Sequence, residues 1–367
     1  RRGAAAACRM GTCLCRERVH QGKFVEVTRP LKLGMISDIQ YADADDGTDF
    51  SGEEKRYFRN SLRVVDAAVA TFNGEAVDAV ITMGDAIDGR NARSGESDRA
   101  LQEVLGVLAR STAAQRFDLV GNHELYNFPR ERLAGCGLRC TGESGKCYWS
   151  SLLSSSWEAV FLDVLEVSVM GVPSSHPSSV AAIKILQEKN PKVVSSLGGG
   201  DWFSGLPVDK YRYVPYNGAA SQEQISWLRG ALKAACEAGR SVLIFTHVPL
   251  YQPATKPETV AWNADEILCA VHDYSSTVIA VLAGHDHQGG YAVDPAGIHH
   301  LTLNSPLTAP PGCDCFSVLE CHDTWAHLKC YGRALVESGT KGAGRSYQEL
   351  VLGKGAHNEP SGPALGA

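Results

Sequence analysis

Five times along this 367-residue chain a short apolar run stops, and the next few residues are Asp, His, Asn or Gln. The stops are Asp38-Ile39-Gln40, Gly84-Asp85-Ala86-Ile87-Asp88, Gly121-Asn122-His123-Glu124, His247 and Gly284-His285-Asp286-His287. Carboxylate, amide oxygen and imidazole together suit Mn²⁺ or a similar hard divalent ion, with no need for thiolate. One such tripeptide alone reads equally well as an exposed turn, and a lone His as a satisfied structural residue. Five in succession, each capping an apolar run, point instead to side chains converging on a dinuclear metal site. The glycines before Asp85, Asn122 and His285 fit sharp turns where backbone passes close to the ions.

The runs themselves predict the elements that must position these residues. LKLGMIS (31–37), AVDAVITM (76–83) and FDLV (117–120) read as buried strands. Apolar side chains at helical spacing over 54–72, and a helical segment near 98–110, separate them. This β-α-β-α-β run implies parallel strands with crossover helices. SVLIFT (241–246) and TVIAVLA (277–283) are two more strands, and IHHLTLN, CFSVLE and TWAHLKCYG read as a later meander. In an open α/β sheet ligands bind just beyond the carboxyl ends of the strands, where all five stops fall.

Hydrophobic residues make up 44% and charged residues 21%, the balance of an ordinary globular chain. The net charge of −6 gives no bulk attraction for nucleic acid or anionic membrane. No apolar stretch is long enough to span a bilayer. The twelve cysteines are scattered, and no secretory h-region follows the first arginines, so reduced thiols and a cytoplasmic location are expected. Cys136, Cys140 and Cys147 are the one tight group; lacking a clear fourth ligand, they read as free thiols rather than a zinc site.

One domain is expected over residues 30–333, with 136–220 an irregular insertion over the active edge and 337–367 a Gly/Ser-rich tail. Residues 1–23, rich in Ala and Arg with the single acid Glu17, read as a disordered tail. Two other readings are a transit-peptide remnant and a start at Met10 that would offer Gly11, Cys13 and Cys15 for acylation. A monomer is expected.

In order and wording the five stops resemble the calcineurin-like metallophosphoesterases, over roughly residues 31–333. Gln40 stands where most members of that family carry His. With SDIQYAD (37–43), GDAIDGRN (84–91), GNHELYNF (121–128), THVPLY (246–251), AGHDHQGGY (283–291), AWN (261–263) and NGAASQEQISWL (217–228), the chain is similar to the manganese-dependent ADP-ribose/CDP-alcohol diphosphatases. Asp88, where the purple acid phosphatases carry an iron-ligating Tyr, speaks against that branch.

The resemblance implies a four-layer α/β/β/α sandwich with a dinuclear site at the strand ends. Asp38, Gln40 and His287 would hold one ion, Asn122, His247 and His285 the second, and Asp85 would bridge them. Replacing imidazole by the Gln40 amide makes the first site harder and favours Mn²⁺, or Mg²⁺, over iron. The implied reaction is hydrolysis of the pyrophosphate of ADP-ribose or CDP-alcohols by a metal-bridging hydroxide. His123 would act as general acid or hydrogen-bond donor, with Asp88 or Glu124 fixing its tautomer. Phe50 matches a substrate-side aromatic of the family. Tyr41 and Tyr126 are further candidates for stacking, and Arg90 and Asn91 for phosphate or ribose. His176, His299, His300, His322 and His327 read as structural. A cyclic-nucleotide phosphodiesterase, a broad phosphomonoesterase and an inactive scaffold of the same fold are the alternatives.

Overall fold

The computed structural model describes residues 29–49, 52–142, 144–197, 199–334, 336–338 and 345–354. The tail of residues 1–23, with Cys8, Cys13 and Cys15, and the expected substrate aromatic Phe50 lie outside the described residues.

The first half delivers the expected parallel unit. β1 (Leu31–Ile36) is followed by a two-stranded ribbon, β2 (Gly47–Thr48) with β3 (Lys55–Arg56), and then by α1 (Phe58–Gly74). After these come β4 (Ala79–Thr82), α2 (Arg90–Ser94), α3 (Ser97–Leu108), β5 (Gln115–Asp118) and α4 (Asn122–Asn127). β1, β4 and β5 pair in parallel, with α1 and α3 as crossovers. α1 carries buried residues at 58, 61, 64, 65, 68, 69 and 72, the stripe a core-facing helix requires.

The second half begins with β6 (Trp149–Leu152), β7 (Trp157–Leu162), α5 (Pro177–Lys189), α6 (Pro191–Ser195) and α7 (Gln222–Glu237). It continues with β8 (Ser241–Thr246), α8 (Ala264–His272), β9 (Val278–Ala283), β10 (Gly290–Val293) and β11 (His299–Thr302). The chain closes with β12 (Cys315–Cys321), β13 (Trp325–Gly332), β14 (Val336–Ser338), β15 (Arg345–Tyr347) and β16 (Glu349–Gly353). α7 starts at Ser221, whose hydroxyl accepts from the Gln224 amide at 3.1 Å, an N-cap that fixes where the helix begins.

Two mixed sheets result, with strand orders β16-β13-β12-β1-β4-β5 and β15-β14-β10-β11-β9-β8-β7-β6. Between them Leu33, Met35 and Ile81 of the first sheet meet Phe161, Phe245 and Leu282 of the second. Phe117 of β5 crosses to Phe161 of β7 with ring centroids 5.0 Å apart. On the outer faces Val64, Val65 and Phe72 of α1 cover Ile36 and Val80, while α7 and α8 cover Val242, Ile244 and Val281. The architecture is the expected four-layer α/β/β/α sandwich. Each large apolar side chain so buried contributes about 1.5–3 kcal/mol before entropy is counted. No helix among the described residues is long and apolar enough to cross a membrane.

Two segments differ from the sequence reading. The stretch 136–220 is not all insertion, because β7 is a fully buried strand pairing in parallel with β8. The strand spans Trp157–Leu162, and its Ser-rich flanks hide a strand that begins on Trp. α5 and α6 form a small cluster around Ala182, Leu186 and Val193, joined by Trp262 from beyond the stretch, whereas Leu138, Cys140, Val164 and Leu165 belong to the main core. At the other end the sheet continues past residue 333: β16 pairs with β13 and buries Leu350 and Leu352. Two leucines in alternation are a weak signal amid glycine and serine, and only pairing with β13 gives them a buried face.

Candidate metal centre and active site

Beyond the carboxyl ends of β1, β4, β5, β8 and β9 the five stops come together. Among the described residues, five non-glycines have positive φ, and four belong to this site: Asp38 (47°), Gln40 (42°), Asp85 (58°) and His285 (69°). Backbone of this kind costs energy at a non-glycine residue and persists only where the surroundings enforce it. Here the enforcement is a ladder beyond the strands: Gln40 N donates to Asp85 O at 2.8 Å, Tyr41 N to Ala86 O at 3.2 Å and Asp88 N to Tyr41 O at 3.0 Å. Close approach explains two glycines. A Cβ on Gly121 would overlap the Asp85 carboxylate, and one on Gly284 would overlap Ser37 and Asp38.

Glu124 ties two of the stops to each other. Its carboxylate is wholly buried and accepts from the amides of Asp85, Ala86 and Gly121, each at 2.7 Å. Burial, with the charge of Asp85 beside it, raises Glu124 to about 7 against the pull of those three amides.

The imidazoles are oriented one by one. His247 donates from Nδ1 to the Met83 carbonyl at 2.7 Å, which leaves Nε2 facing Asn122 Oδ1 at 3.1 Å and Asp85 Oδ1 at 3.5 Å. His285 donates from Nε2 to Asn217 Oδ1 at 2.8 Å. The Asn217 amide nitrogen is itself enclosed by the carbonyls of Arg212, Glu258 and Val260, so its oxygen must face the ring. His287 donates from Nδ1 to Glu54 at 3.0 Å and turns Nε2 toward Gln40 and Asp38. In each ring one nitrogen is held by an outer acceptor and the other points inward, the arrangement that prepares His to bind a cation.

One atom each from Asp85, His247 and His285 lie within 4.8 Å of one another. Asp85 divides its oxygens, Oδ1 toward His247 and Oδ2 toward Gln40 at 3.1 Å, and so faces both halves of the cluster. Asp38 Oδ1 and Gln40 Oε1 are buried and have no hydrogen-bond partner. Buried orphan oxygens are costly in a protein interior, and coordination to a cation relieves that cost. The donor set and these two orphans fit a pair of divalent ions. Amide rotation exchanges the nitrogen and oxygen of Gln40, so it can turn its oxygen toward an ion shared with Asp85 and His287.

The electrostatics follow from burial against charge. Burial alone would raise Asp85, but His247, His123 and His285 outweigh it and hold the carboxylate ionised. Asp38 is raised, mainly by burial. For His247 burial favours the neutral ring, yet Asp85 and Asp38 prevail and push it up to about 10. Burial and the neighbouring His247 hold His285 well below the usual imidazole range.

His123 sits between Asp85 and Asp88, 3.9 and 3.6 Å away. Its Nδ1 accepts from the Gly89 amide at 2.8 Å, which places the proton of the neutral ring on Nε2. The tautomer is therefore set by backbone. Glu124 is turned away onto the amides, and Asp88 is beyond hydrogen-bond reach. Sequence cannot reveal this, because any residue but proline at position 89 supplies an amide N–H.

A cavity of about 700 Å³ opens over the centre, within the range of small-molecule sites. Arg90 and Tyr126 line it. Tyr41 and Asn91 do not: the Tyr41 hydroxyl donates to Glu103 on α3, and the buried Asn91 amide holds the carbonyls of Tyr41 and Asp88. Glu54, Arg56, Tyr216 and Lys256 line the cavity without having been expected there. Glu54 and Arg56 fall within the helical spacing expected over 54–72, but α1 begins only at Phe58 and leaves both on the segment before it. Asn217 and Tyr216 carry no local signal, being loop residues far from the five stops.

Elsewhere, His176 caps α5, His300 bonds to Asp294, His299 to Tyr291, His322 stacks on Trp325 and His327 pairs with Glu349. The described cysteines are all free.

The dinuclear donor set at the ends of two facing sheets defines a class. The chain belongs to the calcineurin-like phosphoesterase family, whose signature matches residues 31–289. Within that family it is 36% identical, over 79% of this chain and 91% of the relative, to the manganese-dependent ADP-ribose/CDP-alcohol diphosphatase of Arabidopsis thaliana. It is 31% identical to the Homo sapiens protein of the same description, over 83% and 91%. Its structure superposes on a dimetal phosphatase from Danio rerio with a TM-score of 0.80 at 28% identity, covering 89% of this chain and 99% of that one.

Proposed function

We propose that the chain is a manganese-dependent hydrolase that cleaves the pyrophosphate bond of ADP-ribose, CDP-alcohols and related nucleoside diphosphate compounds, acting as a cytoplasmic monomer. The observation that carries this reading is the divided Asp85 carboxylate between two donor sets. Asp38, Gln40 and His287 stand on one side, Asn122, His247 and His285 on the other, beneath a cavity large enough for a nucleotide. The relatives' descriptions support both the metal and the substrate class.

Asp38, Gln40, His287 and Asp85 would hold one ion, and Asn122, His247, His285 and Asp85 the other. Bound there, the pair supplies Lewis-acid neutralisation of the phosphate oxygens and a water acidic enough to react near neutral pH. The rest falls to the protein. Met83, Asn217 and Glu54 keep the three rings turned inward. Burial lowers His123, so its ring is neutral at physiological pH and presents Nε2–H toward the centre. That N–H stabilises charge on the phosphoryl or leaving oxygen as it develops. Arg56, whose Nε is buried and unpartnered, and Tyr126 face the same cavity and offer charge and a ring to the substrate.

A panel of ADP-ribose, CDP-choline, cyclic AMP and p-nitrophenyl phosphate with Mn²⁺ tests the reading. Turnover of the two diphosphates, each giving two monophosphates and lost on chelation, is expected. No turnover of either would defeat it.

A further inference from the structure

Four cationic side chains line the cavity: Arg56, Arg90, Arg93 and Lys256. Arg90 is already committed, with Nε on Asp88 Oδ1 at 2.9 Å and its guanidinium 3.4 Å over the Phe58 ring. Arg93 is exposed on α2. Lys256 differs because the segment carrying two of the inward-turned imidazoles fixes its place. Asp286 lies between His285 and His287 and is only 2% exposed. One of its oxygens accepts from the Lys256 amide at 3.0 Å and from the Thr255 hydroxyl at 3.1 Å. The other stands 3.4 Å from the Lys256 ammonium. The Thr259 hydroxyl donates to the Lys256 carbonyl at 2.9 Å, so the lysine is held at both of its backbone groups.

The result is an ammonium on the cavity lining, a third exposed and loosely paired. An ammonium has three N–H donors, and one carboxylate at 3.4 Å leaves donors for a second anion. A pyrophosphate ester brings such an anion. While one phosphoryl group is attacked, the other keeps its charge and gains more as it leaves, and a fixed cation beside it is worth most there. A phosphate monoester offers nothing to that position.

Resting on the diphosphatase reading above, we infer that Lys256, positioned by Asp286, binds the phosphate that is not attacked and makes the site select diphosphates over monophosphates. Calorimetric titration of the manganese-loaded protein with α,β-methylene-ADP, a non-hydrolysable diphosphate, and with AMP tests this without turnover. Lys256→Gln should weaken the methylene diphosphate about 10- to 100-fold and AMP no more than about 3-fold, the scale of one charge-assisted hydrogen bond. Lys256→Arg should keep the preference, and Lys256→Met should repeat the loss. Equal weakening of both ligands, or of neither, overturns the assignment. If the unaltered protein hydrolyses some other phosphate ester but neither ADP-ribose nor CDP-choline, the substrate reading falls and this inference with it. A failed comparison of the two ligands takes down the role of Lys256 alone.

Discussion

At the scale of single residues, Gln40 and His123 carry the sharpest expectations. Gln40 is a neutral oxygen donor where an imidazole is the family's usual choice, and its Oε1 is a buried orphan. Gln40→His should shift the order of metal activation away from Mn²⁺ and toward softer ions, read by stripping the protein and reloading it with single metals. An unchanged order would refute the hardness argument. His123 keeps its proton on Nε2 because the Gly89 amide occupies Nδ1. His123→Gln should lower kcat about 10²- to 10⁴-fold with little effect on bound metal, measured by steady-state kinetics alongside metal analysis. Loss of metal in that variant would mean the ring holds the site together rather than serving the reaction.

At the scale of elements, the question is how turns on different strands stay in register. Glu124, in the first turn of α4, does this through three amides on two loops. Glutamine has the same shape but carries an NH₂ group that must face at least one of those donors. Glu124→Gln should therefore destabilise the fold by about 1–3 kcal/mol and weaken metal binding, read as a lower Tm and a higher metal concentration for half-activation. An unchanged Tm would show that the strand ends alone hold the turns. Its sequence signal, the residue after Asn-His, suggested a partner for His123; the long-range contacts show a staple instead.

At the scale of the molecule, the second sheet is closed on its late side by a polar knot. Asp294 accepts from His272 at 2.8 Å, His300 at 3.0 Å and the amides of Ala296 and Ile298 at 2.9 and 3.0 Å. Burial would raise Asp294, but these bonds outweigh it and hold it well below the usual carboxylate range. Burial lowers His299 and His300. A histidine lowered in the fold is protonated first in the unfolded chain. Its contribution is thus complete above about pH 6.5 and is lost as pH falls through the lower folded value. Urea unfolding should show stability declining from pH 7 to 5, and His300→Gln should flatten that slope by up to about 1.4 kcal/mol per pH unit. Identical slopes in the two proteins would remove His300 from the account.

The five polar stops and their order, the parallel strands and the metal chemistry were legible in the amino-acid sequence, because each stop follows on a buried strand and the period of a strand or helix is a local property. SVLIFT became β8 with its ends unchanged. What only the tertiary structure decided are the partners that arrive from elsewhere in the chain. Asn217 and Glu54 orient two imidazoles from 68 and 233 residues away, the Gly89 amide selects a tautomer, and Asp286 sets a lysine over the cavity. β7 and β16 likewise gain their buried faces from neighbours distant in sequence. Contacts of this kind leave no local pattern, since a hydrogen bond or a packed face is fixed by position in space and not by the residues on either side.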